Sequence, residues 1–206
     1  MKLYYVPGTI SVASVLAMDE AGLDVTLHKV SFKDGEQTTP AYRQINPKGR
    51  VPVLEVGGMH LTETGAILEY IATVAPDAGL MPTDSLEAAH VRSVMFYLAS
   101  TMHVNHAHGR RAGRWATQQS SLDDMAAKVT QNMTKSAQYV EDHCLKGPFV
   151  NGDQFSIADP YLFAICNWLE ADKVDVAAFP RILAFRAAME DRPSVRTARA
   201  AGILKR

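Results

Sequence analysis

Three hydroxyls stand close together near the start of the chain: Tyr5 ends the segment Lys2-Leu3-Tyr4-Tyr5, and Thr9 and Ser11 lie just beyond Pro7-Gly8. The apolar spacing of residues 12–21 predicts a helix that begins there. A hydroxyl donor and the positive end of the helix dipole would then act on an anion in the same direction. Glu63-Thr64 is a second place of this kind, because another helical pattern starts there. Free amides at a helix start favour a carboxylate, and the threonine hydroxyl can add a hydrogen bond or simply cap the helix. Histidines gather at His103, His106 and His108, and an imidazole can give or take a proton near neutral pH. His103 and His106 share a helical face, but His108 points elsewhere and no carboxylate lies nearby, so no metal site is expected. His106 and His108 read as polar residues on a partly exposed helix.

The two cysteines, Cys144 and Cys166, fall on separate predicted helices without metal-ligand spacing. Neither a disulfide framework nor a zinc site is expected, and reduced thiols suit the cytoplasm. The chain has 206 residues, 47% hydrophobic and 21% charged, with a formal net charge of -1. That balance gives no electrostatic case for nucleic acid or an anionic membrane as partner. Arg110, Arg111 and Arg114 sit among apolar residues and read as one face of a helix. No apolar run approaches the roughly 20 residues of a membrane span, and the N-terminal segment is too short for a signal peptide.

The elements that must position these groups fall into two sets. Residues 2–6 and 25–30 read as strands flanking the helix at 12–21, which Gly22 stops. A polar stretch at 33–44, interrupted by Pro40, allows only a short or irregular helix. Strands at 53–56 and 59–62 are joined by Gly57-Gly58, a two-residue hairpin signal, and a helix follows at 64–74. The order βαβ, linking helix, ββα predicts a small four-stranded sheet with helices packed on it, over residues 1–78. Pro76, Gly79 and Pro82 mark a linker. From 86 to 206 the pattern is helical throughout, with long periodic segments at 86–108, 122–144, 157–169 and 179–192. Ser156-Ile157-Ala158-Asp159 reads as a capping box with Asp in the third position, a structural feature with no chemistry of its own.

Four segments, in order and spread over the whole chain, carry a family resemblance. They are Lys2-Leu3-Tyr4-Tyr5-Val6-Pro7-Gly8 leading to Ser11, Asn46-Pro47-Lys48-Gly49-Arg50-Val51-Pro52-Val53-Leu54, Leu61-Thr62-Glu63-Thr64-Gly65-Ala66-Ile67-Leu68-Glu69-Tyr70-Ile71, and Phe155-Ser156-Ile157-Ala158-Asp159-Pro160-Tyr161. Together they resemble the glutathione transferases, above all the bacterial type called beta class. The resemblance implies a thioredoxin-like α/β N-terminal domain followed by an all-helical domain. It also implies a homodimer, glutathione as co-substrate and a small hydrophobic electrophile as the second substrate.

The resemblance also implies a cis bond between Val51 and Pro52, which would turn the Val51 backbone outward to pair with an extended peptide as a sheet edge does. Glu63 and Thr64 would hold the γ-glutamyl end of glutathione, and Lys33 or Arg50 its glycyl carboxylate. A thiol is largely protonated at neutral pH, so a donor must favour the thiolate. Ser11 is the first choice, Thr9 the second and Tyr5 the third. His103 aligns with the family's histidine in the first long helix of the second domain, and Ser100, Thr101 and Met102 would border the glutathione site beside it. Helical phase suggests Thr9, Ile10, Met102, His106, Arg110, Arg114 and Trp115 as walls for the electrophile.

Beta-class relatives commonly carry a cysteine where this chain has Ile10. Thiol–disulfide reductase chemistry then lacks its nucleophile, whereas direct transfer of glutathione needs no protein thiol. The alternatives left open are a glutathione-binding protein of the same fold with little transferase activity, and a glutathione-dependent peroxidase or isomerase.

Overall fold

A computed structural model describes residues 1–204. Contacts group Met1–Thr83 with the segment from Glu190 onward, and Asp84–Met189 form the other unit.

In the first unit, β1 (Lys2–Tyr5), α1 (Ser11–Glu20), β2 (Thr26–Lys29), α2 (Pro40–Ile45), β3 (Val53–Val56), β4 (Met59–Thr62) and α3 (Thr64–Val74) follow in order. The sheet runs β2-β1-β3-β4, with β1 parallel to β2 and antiparallel to β3, and β3 antiparallel to β4. This is the thioredoxin-like arrangement expected from the sequence. Gly57 and Gly58 both take positive φ, 57° and 76°, as a tight hairpin of this twist requires. Tyr4, Val30, Tyr42, Val51 and Val53 form a buried cluster at one end of the sheet. The polar stretch after β2 holds only a 3-10 turn at Glu36–Thr38 and the short α2, whose N-cap Thr39 accepts from the Tyr42 amide.

The second unit contains α4 (Ser85–Tyr97), α5 (His103–Arg110), α6 (Gln119–Tyr139), α7 (Ala158–Cys166) and most of α8 (Pro180–Glu190). Asp84 caps α4, its carboxylate accepting from Leu86 and Glu87 at 2.9 and 3.0 Å. Two of the long periodic segments are broken by π-helical turns, Leu98–Met102 between α4 and α5, and Val140–Cys144 after α6. The expected capping box is modified. Asp159 accepts from the Ser156 amide as predicted, but the Ser156 hydroxyl donates to the same carboxylate, whose other oxygen takes the Val150 amide at 2.7 Å.

The C-terminal helix differs from expectation. The sequence assigns everything after residue 86 to the helical domain, yet α9 (Pro193–Ala200) groups with the first unit and packs on α1. Arg192 and Ser194 both donate to the Glu20 carboxylate near the end of α1. The Gly8 amide donates to the Ile203 carbonyl at 3.0 Å. Among the described residues no helix is long and apolar enough to cross a membrane.

Candidate active site

The strand register decides which candidates of the first unit meet. Tyr4 pairs with Val53 and Val53 with Thr62, so the end of β1, the start of β3 and the end of β4 lie level. Tyr5 closes β1, and the residues immediately beyond those ends are Val6 to Ser11, Val51-Pro52 and Glu63-Thr64. All of them gather at one end of the sheet.

Val51-Pro52 is cis. Val51 is buried, at 8% exposure, yet neither its amide nor its carbonyl finds a backbone partner among the described residues. Buried backbone polar groups are nearly always paired, so this amide and carbonyl are available to a further hydrogen-bonding partner. The loop before it is held from within. Tyr42 Oη and Asn46 Nδ2 both donate to the Arg50 carbonyl, at 2.9 and 2.7 Å, and Asn46 Oδ1 accepts from the Lys48 amide at 3.1 Å. Burial pushes the Tyr42 phenol up, assisted by the Glu36 and Tyr4 charges, so it remains a donor. Gly49 has φ 61°, and a Cβ there would stand 2.8 Å from the Gln37 carbonyl oxygen, so only glycine fits. Sequence reasoning missed Tyr42 and Asn46. The Asn-Pro-Lys-Gly run is turn chemistry that could have pointed to Asn46.

Glu63, just before α3, takes φ 75° and ψ 122°, a conformation costing a non-glycine residue about 1–3 kcal/mol. Among the described residues no side chain caps α3, so its first amides stay available, and Thr64 is its first residue rather than its cap. Glu63 is ion-paired with Lys48, whose ammonium also reaches Thr62 Oγ1 at 2.8 Å. Lys48 is therefore the cation that stands at this corner. Lys33 and Arg50, the two cations expected to meet a carboxylate, are exposed on the surface.

Around the start of α1 the three hydroxyls differ in burial and in their partners. Ser11 is wholly buried. Its Oγ accepts from the Val6 amide at 3.0 Å, lies 2.8 Å from Thr9 Oγ1, and stands 3.2 Å from the Val6 carbonyl. It braces the β1–α1 turn, because the first side chain of α1 folds back over that turn. Thr9 is half-buried and donates to the Val6 carbonyl at 2.8 Å. Tyr5 is nearly buried, at 8% exposure, and its hydroxyl has no hydrogen-bond partner among the described residues. Ile10 is buried, and no partner is found for its amide among those residues.

The remaining candidates belong to the second unit. Ser100 and Thr101 are on the π turn, their hydroxyls 3.3 Å apart, and His103 opens α5. Met102, expected beside the glutathione site and as a wall for the electrophile, is fully buried core. The physical reason is the π turn, which inserts an i→i+5 step and shifts every phase assignment drawn across it. The expectation that no carboxylate lies near the histidines is also corrected. His106 Nδ1 donates to Asp172 Oδ2 at 2.7 Å. The His103 and His106 rings lie 5.2 and 4.3 Å from the Trp168 ring, and His108 meets Trp115 edge-on. Among the described residues no group of three or more His, Cys, Asp or Glu is arranged to hold a metal. Cys144 and Cys166 are buried, and burial raises both thiols to about 12, so neither is a nucleophile.

Comparison with known proteins adds a family to this geometry. Residues 1–73 match the family described as Glutathione S-transferase, N-terminal domain, and residues 111–200 match Glutathione S-transferase, C-terminal domain. Glutathione S-transferase GstA of Escherichia coli O157:H7 is 33% identical over 208 aligned positions, covering 100% of both chains. A maleylacetoacetate isomerase of Pseudomonas aeruginosa is 30% identical, covering 88% of this chain and 87% of that one. A solved glutathione transferase homolog from Sulfitobacter, with bound glutathione, superposes with a TM-score of 0.97 at 53% identity, covering 98% of each chain. The chain belongs to the glutathione S-transferase family.

Proposed function

We propose that this protein is a glutathione transferase, joining the thiol of glutathione to small hydrophobic electrophiles. One observation carries the reading: the unpaired backbone of Val51 lies level with the uncapped start of α3 at one end of the sheet. An extended γ-glutamyl tripeptide fits that pair, its cysteinyl backbone on Val51 and its γ-glutamyl carboxylate on the amides and hydroxyl at Thr64. Glu63 receives the ammonium of the same residue. Its present partner Lys48 holds it only through an exposed ion pair, worth about 1 kcal/mol or less, and gives way. Lys33 or Arg50 meets the glycyl carboxylate. The similarity to a glutathione-bound homolog at 53% identity supports the same ligand here.

The sulfur needs a donor, and Thr9 is best suited. Ser11 Oγ–H now serves Thr9, and Thr9 Oγ1–H serves the Val6 carbonyl. When a thiolate arrives, the Ser11 proton turns to the Val6 carbonyl at 3.2 Å, and the Thr9 proton is released toward the sulfur. The α1 dipole adds to this stabilisation. Tyr5, with its unpartnered phenol, is the second donor. Ile10 in place of a cysteine leaves conjugation intact and removes thiol–disulfide exchange.

The protein works in the cytoplasm as a homodimer. Two buried reduced cysteines suit that compartment. Phe96 and Leu86, 72% and 80% exposed on α4, suit a second copy. The direct experiment is glutathione-dependent conversion of a chloronitrobenzene, followed by the absorbance of the conjugate. Turnover that requires glutathione supports the reading. Tight glutathione binding without turnover over a wide panel of electrophiles would replace it with a binding role. The isomerase at 30% identity favours one second reading, in which the same thiolate adds reversibly to a conjugated double bond. Isomerisation of maleylacetoacetate without loss of glutathione would identify it.

A further inference from the structure

We infer that the turn closing α9 is a positioning element of the active site: the Ile203 carbonyl holds the Gly8 amide and so fixes Thr9, the residue that meets the glutathione sulfur. The inference rests on the transferase reading above and lies wholly within the first unit. Inside the β1–α1 turn the hydrogen bonds converge on one group, the Val6 carbonyl. It faces the Thr9 amide at 3.3 Å, Thr9 Oγ1 at 2.8 Å and Ser11 Oγ at 3.2 Å. Those bonds fix the hydroxyls relative to Val6 but do not leave the turn. Gly8 ties the turn to a different element, its amide donating to the Ile203 carbonyl at 3.0 Å from a left-handed backbone, φ 71°. The acceptor is itself held. Gly202 takes φ 67° just past α9, its amide donates to the Arg199 carbonyl at 3.0 Å, and the Ile203 amide donates to the Ala198 carbonyl at 2.9 Å. This is the paired closure by which a glycine ends a helix. Ile203 and Leu204 are both buried. At the far end Arg192 and Ser194 donate to Glu20, the last residue of α1. α9 therefore runs back along α1, pinned at both ends, and its closing turn delivers one carbonyl to the residue before Thr9.

The anchor matters most when charge is on the sulfur. While the Thr9 hydroxyl donates to the Val6 carbonyl, that bond holds the side chain. When the proton is released toward a thiolate the bond is lost, and Thr9 keeps its long backbone bond to Val6, at 3.3 Å. The fixed Gly8 peptide beside it then keeps the hydroxyl aimed. A donor held in place before the charge develops needs no reorganisation, and a small displacement of such a group is expensive. The strap from Ile203 therefore favours thiolate over thiol. It acts on ionisation and turnover more than on affinity, because the tripeptide backbone and its γ-glutamyl carboxylate are assigned to Val51 and Thr64.

The test exchanges Gly202. A Cβ there meets nothing within 4 Å, so a substitution acts only through φ. Gly202→Asn keeps a residue that tolerates the left-handed region, whereas Gly202→Val does not. Gly79→Val is the control: Gly79 belongs to the same unit, has φ 64° and equally open surroundings, and is part of neither the β1–α1 turn nor α9. Turnover of a chloronitrobenzene, glutathione Kd, ionisation of the bound thiol by thiolate absorbance, and exchange of the Gly8 amide by NMR are recorded for wild type and all three variants. In Gly202→Val we expect faster exchange at Gly8 and a bound thiol moved up toward the roughly 8.5 of a free cysteine thiol. Its kcat should fall about tenfold, with Kd within about twofold of wild type. Gly202→Asn and Gly79→Val should keep the wild-type thiol and turnover. Unchanged ionisation and turnover in Gly202→Val, or slow exchange at its Gly8, would overturn the inference. So would an equal loss in Gly202→Asn or Gly79→Val, which would reduce the effect to general destabilisation. If Gly202→Val does not fold, Gly202→Ala, with a smaller side chain, is read against Gly202→Asn by the same criteria. A wild type that neither binds nor converts glutathione would instead remove the transferase reading beneath it, a result distinct from these.

Discussion

Tyr42 Oη donates to the carbonyl oxygen of Arg50 at 2.9 Å, and this one bond ties α2 to the residue just before Val51-Pro52. The bond survives throughout the usual pH range, because burial holds the phenol protonated. Tyr42→Phe removes the donor and leaves Asn46, among the described residues, as the one side chain on that carbonyl. The expected result is a loss of about 1 kcal/mol in denaturant unfolding and a severalfold weaker glutathione Kd, since the loop carrying Val51 loosens. Equal glutathione affinity in the variant would separate the brace from the site.

Thr9 and Ser11 are adjacent hydroxyls with opposite expected phenotypes. Thr9→Val should lower kcat/KM by about 10–100-fold, in line with removal of one anion-stabilising donor, with little change in glutathione Kd. Ser11→Ala leaves the Val6 amide without its acceptor. That variant should lose about 1–3 kcal/mol of stability, and its activity should suffer through the turn it no longer braces. Steady-state kinetics beside chemical denaturation distinguishes the two; the reverse pattern would return Ser11 to the sulfur.

Much of this was legible in the sequence. The order of elements in the first unit, the Gly57-Gly58 hairpin and the cis Val51-Pro52 bond all follow from local chemistry or from the family pattern, and the structure bears them out. What was not legible depends on groups far apart or on irregular backbone. The fate of Ser11 is decided by the Val6 peptide group, whose position only the folded turn defines. Asp172 is 66 residues from His106, beyond any periodicity. Met102 was misread because a 3.6-residue phase was carried through the π turn at Leu98–Met102. The return of α9 rests on Glu20 meeting Arg192, an ion pair no local pattern announces.

Glu20 makes the attachment of α9 sensitive to acid. Burial alone would raise its carboxyl, but the hydrogen bonds from Arg192 and Ser194 and the Arg192 charge prevail and lower it. A carboxyl depressed in the folded state stabilises above its unfolded value of 4.5, and that contribution fades as pH falls through the lower folded value. Glu20→Gln should therefore be less stable than wild type at neutral pH, with the gap closing below about pH 4.5. Thermal unfolding across pH 3–7 checks it; a gap independent of pH would mean that the ion pair contributes nothing through charge.

Phe96 tests the dimer. Its ring is 72% exposed on α4, and a large apolar side chain left in water suggests a partner surface. Phe96→Lys should shift sedimentation from dimer toward monomer without altering the circular dichroism of the fold. A wild type that sediments as a monomer would remove the homodimer from the account.

The central claim is that this fold binds glutathione and favours its thiolate. The most direct measurement is a titration of thiolate absorbance in the glutathione complex, with Thr9→Val alongside. The account predicts a bound thiol that ionises well below the roughly 8.5 of a free cysteine thiol, moving back toward it in the variant. A bound thiol that titrates as it does free in solution, or no complex to titrate, would contradict it.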